Sequence, residues 1–226
     1  MFFAKFRFRI SVLLCLILCF LASAQAQQAA VPIITFTFDF PGSAPGHYVV
    51  SVSNDGSAVY DSDGKISPES TSSDPFHSDF TASQAARTRI FDLARRAHYF
   101  EGEIDSKNKK IAFTGTKTLT YKDAQKSTRA SFNYSPVSSI QELTAFFQGL
   151  SNTLEFGHRL DYCLRYQKLG LDEELKKMEE LSKSGGLEEI SSVAPVLQKI
   201  VDDSAVINVV RARALRLLQV SQTGSK

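Results

Sequence analysis

This 226-residue chain has no tryptophan, two methionines and three cysteines, and long apolar runs are missing from all but its start. The one sustained run, Ile10 to Ala22, follows Lys5, Arg7 and Arg9 with no acid before it. Small residues come next, and Ala22-Ser23-Ala24 and Ala24-Gln25-Ala26 both have the small-x-small pattern of a cleavage site. Crossing the hydrocarbon core takes about 20 apolar residues, and this run stops short of that. Residues 1–26 therefore read as a cleaved signal peptide, and cleavage after Ala24 or Ala26 is equally compatible with the pattern. A lipoprotein signal is disfavoured, because bulky Leu18 precedes Cys19 where a small residue is expected. No later segment is apolar enough to span a bilayer, so no membrane span is expected after cleavage.

Two of the cysteines, Cys15 and Cys19, belong to that leading segment, which leaves Cys163 as the only later thiol. One thiol cannot make an intramolecular disulfide, so the fold is expected to hold by packing alone. A lone cysteine in a helical pattern is expected to be buried and inert. A charge excess is missing too. The full chain has 26 basic and 24 acidic residues, net +2, but the leading segment holds three of the bases and no acid; the rest carries 23 against 24, net −1. A near-neutral protein has no general electrostatic reason to bind nucleic acid or anionic lipid, and neither is expected as a partner.

The remaining 200 or so residues show two kinds of periodicity. Ile34, Phe36, Phe38 and Phe40 alternate with Thr35, Thr37 and Asp39, as in a half-buried strand. Tyr48, Val50 and Val52 repeat the pattern, and Asn54-Asp55-Gly56 supplies a tight turn into a hairpin partner, Ser57 to Tyr60. Asp61 to Asp79 is rich in Ser, Asp and Pro and reads as a mobile surface loop. A helix is expected from Thr81, capped against Gln84, along the stripe Ala86, Ile90, Leu93, Ala94 and Ala97. Ile111 to Phe113, Thr116 to Tyr121 and Thr128 to Tyr134 read as further strands, with Tyr99 to Ile104 a weaker one. Near Pro136 the period changes to that of helices. Ser139 to Glu142 reads as a capping box opening a helix that bends at Gly149 or Gly157 and stops near Gly170. Shorter helices follow at Asp172–Ser182, after Pro195, and from Ser204 to Val220; the last two resemble one hairpin of a helical repeat, without a second copy. The expected fold is α+β: an antiparallel sheet with one packed helix, then an all-helical C-terminal region. The expected organisation is 1–26 signal peptide, 27–136 α+β domain and 137–226 helical region, the last packing on its own or on the same core.

Motifs that could carry chemistry are few and incomplete. Asp61-Ser62-Asp63-Gly64-Lys65-Ile66 resembles the middle of a calcium loop, but Val59 and Ser70 fall where oxygen ligands are needed. Glu155-x-x-His158 has di-metal bundle spacing, yet no second such pair exists on a predicted helix. Asp74-Pro75-Phe76-His77-Ser78-Asp79 sets a histidine among carboxylates, where its pKa would rise. Ser62-Asp63-Gly64-Lys65 matches Ser-x-x-Lys without a Lys-Thr-Gly, and there is no Gly-x-Ser-x-Gly and no phosphate-cradling glycine loop. No catalytic, cofactor-binding or metal-ligating residue is assigned, and no cofactor is expected. Arg211, Arg213 and Arg216 line one face of the last helix, either as a partner surface or answered by the acids Glu173, Glu174, Glu179, Glu180, Glu188 and Glu189.

The stretch His47 to Tyr60, together with Ile140 to Leu160 and Lys168-Leu169-Gly170-Leu171-Asp172, resembles uncharacterised exported bacterial proteins. That resemblance spans most of the chain beyond the leader and implies no activity and no site residues. The expectation is an exported protein, periplasmic or extracellular. It is read as a non-catalytic binding or envelope-associated protein that meets a protein or envelope partner through its C-terminal helices. The alternatives are a periplasmic hydrolase or metal-dependent enzyme gathering His77, Asp79 and His158, and a small-ligand binder using the sheet face with the Asp61–Asp79 loop as a lid.

Overall fold

In β1 (Ile33–Asp39) every second side chain, Ile34, Phe36 and Phe38, is buried, and the intervening threonines face the other way. The same alternation runs through β2 (His47–Ser53), β3 (Ser57–Ser62) and β4 (Phe76–Thr81). In β5 (Thr116–Lys122) Thr118 is buried along with Lys117, Leu119 and Tyr121, and β6 (Ser127–Phe132) alternates again. The computed structural model describes residues 30–65 and 74–223. Within them these strands form one antiparallel sheet in the order β4-β3-β2-β1-β5-β6. The expected signal peptide and residues 66–73 of the Asp61–Asp79 loop lie outside the described residues.

Among the described residues five helices accompany the sheet: α1 (Gln84–Arg96), α2 (Ser138–Tyr166), α3 (Leu171–Lys183), α4 (Ala194–Asp202) and α5 (Asn208–Thr223). Four of the five lie in the C-terminal half, and the fold is α+β as the periodicities indicate. α2 packs on the sheet: the Phe147 ring stacks on Phe36 at 5.2 Å between centroids. Burying such rings contributes roughly 1.5–3 kcal/mol each. The core is continuous from Ile34 in β1 to Leu218 in α5. No helix among the described residues is long and apolar enough to cross a membrane. Cys163, on α2, is a buried free thiol.

Several elements differ from the sequence reading. Both ends of the Asp61–Asp79 loop are strand: β3 runs on to Ser62, and β4 includes His77 and Asp79. The cap of α1 is Ser83, whose hydroxyl accepts from the Ala86 amide at 3.1 Å; Thr81 belongs to β4. Tyr99 to Ile104 is not a strand, because His98, Tyr99 and Phe100 adopt left-handed backbone in succession. Ile111–Phe113 is irregular as well. The N-cap of α2, Val137, has no side-chain cap; instead the Ser138 hydroxyl bonds Glu142 one turn on, at 3.1 Å.

α2 also runs for 29 residues without stopping at its glycines. A Cβ on Gly149 would lie 2.9 Å from Glu188 Cγ, and one on Gly157 would lie 2.4 Å from Val193 Cγ1. These glycines let the chain before α4 cross against α2, a close-packing role.

Candidate functional site

The Glu155-x-x-His158 pair does share one side of α2, but its two members serve different neighbours. Glu155 is 4% exposed, and its Oε1 accepts from Tyr60 Oη at 2.8 Å and Ser62 Oγ at 2.7 Å. The Tyr60 hydroxyl also pairs with Ser151 Oγ at 2.8 Å, and a Cβ on Gly64 would come within 2.7 Å of Glu155 Oε2. Alternation puts Tyr60 and Ser62 on the helix side of β3, so the network clamps the sheet to α2. Burial, then the nearby Glu155, raises the Tyr60 pKa well above the ordinary phenol range. Burial raises that of Tyr48 as well. His158 instead meets Asp74 Oδ2 at 3.0 Å and stacks on Phe76 at 4.1 Å.

His77 lies on the opposite side of β4 from Phe76. It pairs across the ladder with Asp61, Nδ1 to Oδ1 at 2.7 Å, and Nε2 lies 3.4 Å from Asp79 Oδ2. The Asp61 hydrogen bond, with Asp79 beside it, raises the imidazole pKa. Since His158 packs on the inner side of this strand and His77 on the outer, the structure does not bring the two histidines into one cleft. The calcium-like motif is dispersed in the same way: Asp61 faces His77, Ser62 faces Glu155, and Asp63 Oδ1 accepts the His47 amide at 2.7 Å. Among the described residues no three His, Cys, Asp or Glu side chains are placed to share a metal ion.

The ladder register defines the outer face of the sheet. One row across it reads His77, Asp61, Val49, Thr37, Thr118, Ser131; the next reads Asp79, Val59, Ser51, Thr35, Thr120, Arg129. The face is acidic at the β3–β4 edge, hydroxyl-bearing in the middle and cationic at the β6 edge. Hydroxyls pair across strands there, Thr35 with Ser51 at 3.0 Å and Thr118 with Ser131 at 2.8 Å.

Lys117 is the functional candidate that motif reading missed. β5 alternates Lys117, Leu119 and Tyr121 inward against Thr116, Thr118 and Thr120 outward, so the lysine stands at a core position opposite Phe38 and Phe132. It is 6% exposed. Its Nζ donates to the carbonyls of Asn133 at 2.9 Å and Gly115 at 3.1 Å and contacts the Thr114 hydroxyl at 3.1 Å and carbonyl at 3.3 Å. The Phe38 ring lies 5.7 Å away, and burial lowers the ammonium pKa. The signal was present in the sequence: a lysine at the apolar phase of a strand.

The basic face of α5 is largely answered from α3. Arg213 Nε bonds Asp172 at 2.9 Å and its Nη1 bonds Glu179 at 2.7 Å, while Arg216 Nε bonds Glu179 at 2.8 Å. Arg211 donates to the Val201 carbonyl at 2.7 Å. Of the acids named from sequence, Glu179 takes this role. Glu188 bonds Arg89 of α1 at 2.7 Å, and Glu189 accepts the Ser83 amide and hydroxyl, both at 2.8 Å. Burial works to raise the Glu179 pKa, but the Arg216 and Arg213 hydrogen bonds outweigh it and pull the value down.

One end of the helical region exposes apolar side chains. The Lys168–Asp203 ion pair, 2.5 Å long, ties the turn after α2 to the turn before α5. The first turn carries Tyr166 and Leu169, 71% and 99% exposed; the second leads to Ile207 and Val209, 65% and 52% exposed. No protein-family model and no curated protein matches this chain.

Proposed function

We propose that this chain is an exported, non-catalytic binding protein of the cell envelope, which docks a protein partner through the exposed end of its C-terminal helices. The supporting observation is Leu169, a large apolar side chain held almost wholly in solvent on the short 3₁₀ turn Lys168–Gly170, close in the chain to Tyr166. Apolar groups gathered at one ion-paired end mark an interaction site more often than scattered ones do. The guanidinium groups of Arg213 and Arg216 are already held by Asp172 and Glu179, so the contact is expected to be apolar rather than salt-bridged. The export part of the reading rests on the leading segment, whose cations, apolar run and small residues fit an export signal.

The test is site-specific photo-crosslinking of the full chain in its native host, with N-terminal sequencing of the product. A discrete adduct from positions 169 and 207, absent from exposed Lys176 on α3, is the expected result. No adduct at 169 and 207, or the same one at 176, rejects the docking surface. A chain that keeps residues 1–26 and stays in the cytoplasm rejects export.

A further inference from the structure

Between the Lys117 end of the sheet and the first half of α2 lies an open cavity of about 250 Å³. Lys117, Phe132, Tyr134, Gln141, Thr144 and Gln148 are among the residues that line it, and no carboxyl group is. The lining is chemically asymmetric: one buried cation, amide and hydroxyl groups, and apolar walls from Phe132 and Tyr134. Among the described residues Lys117 has no acidic partner within ion-pair distance; the oxygens around its ammonium group are neutral. Neutral dipoles satisfy its protons but leave its charge uncompensated, and a buried charge without a counter-ion is costly. An anion entering the cavity would meet a largely buried cation whose charge no carboxylate offsets, and opposite charges attract more strongly there than in water.

We propose that this cavity is a binding site for a small organic acid, its carboxylate drawn to Lys117 and its apolar body lying against Phe132 and Tyr134. The volume suits a molecule no larger than a single ring or a short alkyl chain. Binding sites of this kind are concave and mainly apolar, with a few polar groups fixing orientation. The site is independent of the apolar end at Leu169, and its ligand is a small molecule rather than a protein.

The experiment is an amide NMR titration of the purified protein with benzoate and hexanoate, using benzamide as the uncharged counterpart of benzoate. At least one carboxylate should give saturable shifts centred on residues 114–117 and 132–135, with benzamide weaker by about tenfold or more, since attraction to an uncompensated buried charge is at stake. Lys117→Met should remove the preference for the acid. Ala145→Phe, which fills the mouth of the cavity and leaves Lys117 in place, should abolish binding of both, and it decides the matter if Lys117→Met does not fold. The proposal is overturned if neither carboxylate gives a saturable shift, or if benzoate and benzamide bind alike. It is also overturned if carboxylate binding survives Ala145→Phe.

Discussion

Replacing Glu155 with alanine should be among the most damaging single changes in this protein, and its size can be worked from the network around it. The carboxyl group is buried and accepts from Tyr60 at 2.8 Å and Ser62 at 2.7 Å. In Glu155→Ala the Tyr60 hydroxyl keeps Ser151 but loses its acceptor, and Ser62 loses its acceptor outright. Each stranded buried hydroxyl costs about 1–3 kcal/mol. A small void beneath Gly64 adds to this, so the total expected is about 3–5 kcal/mol, a large share of the roughly 5–15 kcal/mol that holds a domain folded. Glu155→Gln keeps the shape and one acceptor oxygen and should cost about 1–2 kcal/mol. Tyr60→Phe should cost a similar amount. Because both sites touch the same hydrogen bond, their double variant should depart from additivity by roughly 1 kcal/mol. Urea unfolding followed by circular dichroism gives all four values. A loss under about 1 kcal/mol for Glu155→Ala, or additivity within about 0.5 kcal/mol, would refute the clamp between sheet and helix.

Gly157→Ala gains about 1 kcal/mol of helix propensity but drives a methyl into Val193, at 2.4 Å from Cγ1, so a net loss of about 1–2 kcal/mol is expected in thermal unfolding. Val193→Ala in the same chain should recover part of it. Glu179→Gln should cost about 1–3 kcal/mol, because two arginines lose a charged acceptor. The folded-state pKa of Glu179 lies below its unfolded value, so its contribution is present above about pH 4.3 and fades as the pH falls through the folded value. Wild type should therefore lose more stability on acidification than the variant does. The His77 imidazole should titrate in NMR with a midpoint above about 6.5, and Asp61→Asn should bring it down. Its stabilising effect is complete below the unfolded pKa and is lost as the pH rises through the raised folded value. Cys163, whose pKa is raised by burial and then by Glu174, should react with a thiol reagent only on unfolding; rapid labelling of the native protein would contradict its placement.

The regular elements were legible where one periodicity acted alone. β1 and β2 alternate cleanly, and Asn54-Asp55-Gly56 makes the turn it suggests, with Gly56 at φ 102°. α3 falls within one or two residues of its reading. The failures have specific causes. His77 and Asp79 looked like loop because polar residues surround them, but an edge strand with one solvent face accepts polar residues at every second position. Tyr99 to Ile104 looked like strand because its side chains are aromatic and apolar, while three left-handed residues in succession turn the chain away. Gly149 and Gly157 looked like weak points in α2, and a sequence cannot say which neighbour needs the space a glycine leaves.

What the sequence determined by itself is the α+β class, the order of strands, one helix, further strands and then helices, and the scarcity of thiols, since each depends on local periodicity or on composition. Only the tertiary structure decided how polar residues far apart in the chain are matched. Glu155 meets Tyr60 and Ser62 across more than 90 residues, Glu179 takes Arg216 and shares Arg213 with Asp172, and Lys117 is left among neutral oxygens beside a cavity. The physical reason is that burial sets the value of a charge. In water each of these lysine, glutamate and tyrosine side chains is satisfied and screened by solvent, and only the packing of helix against sheet turns one into a clamp and another into an unneutralised cation.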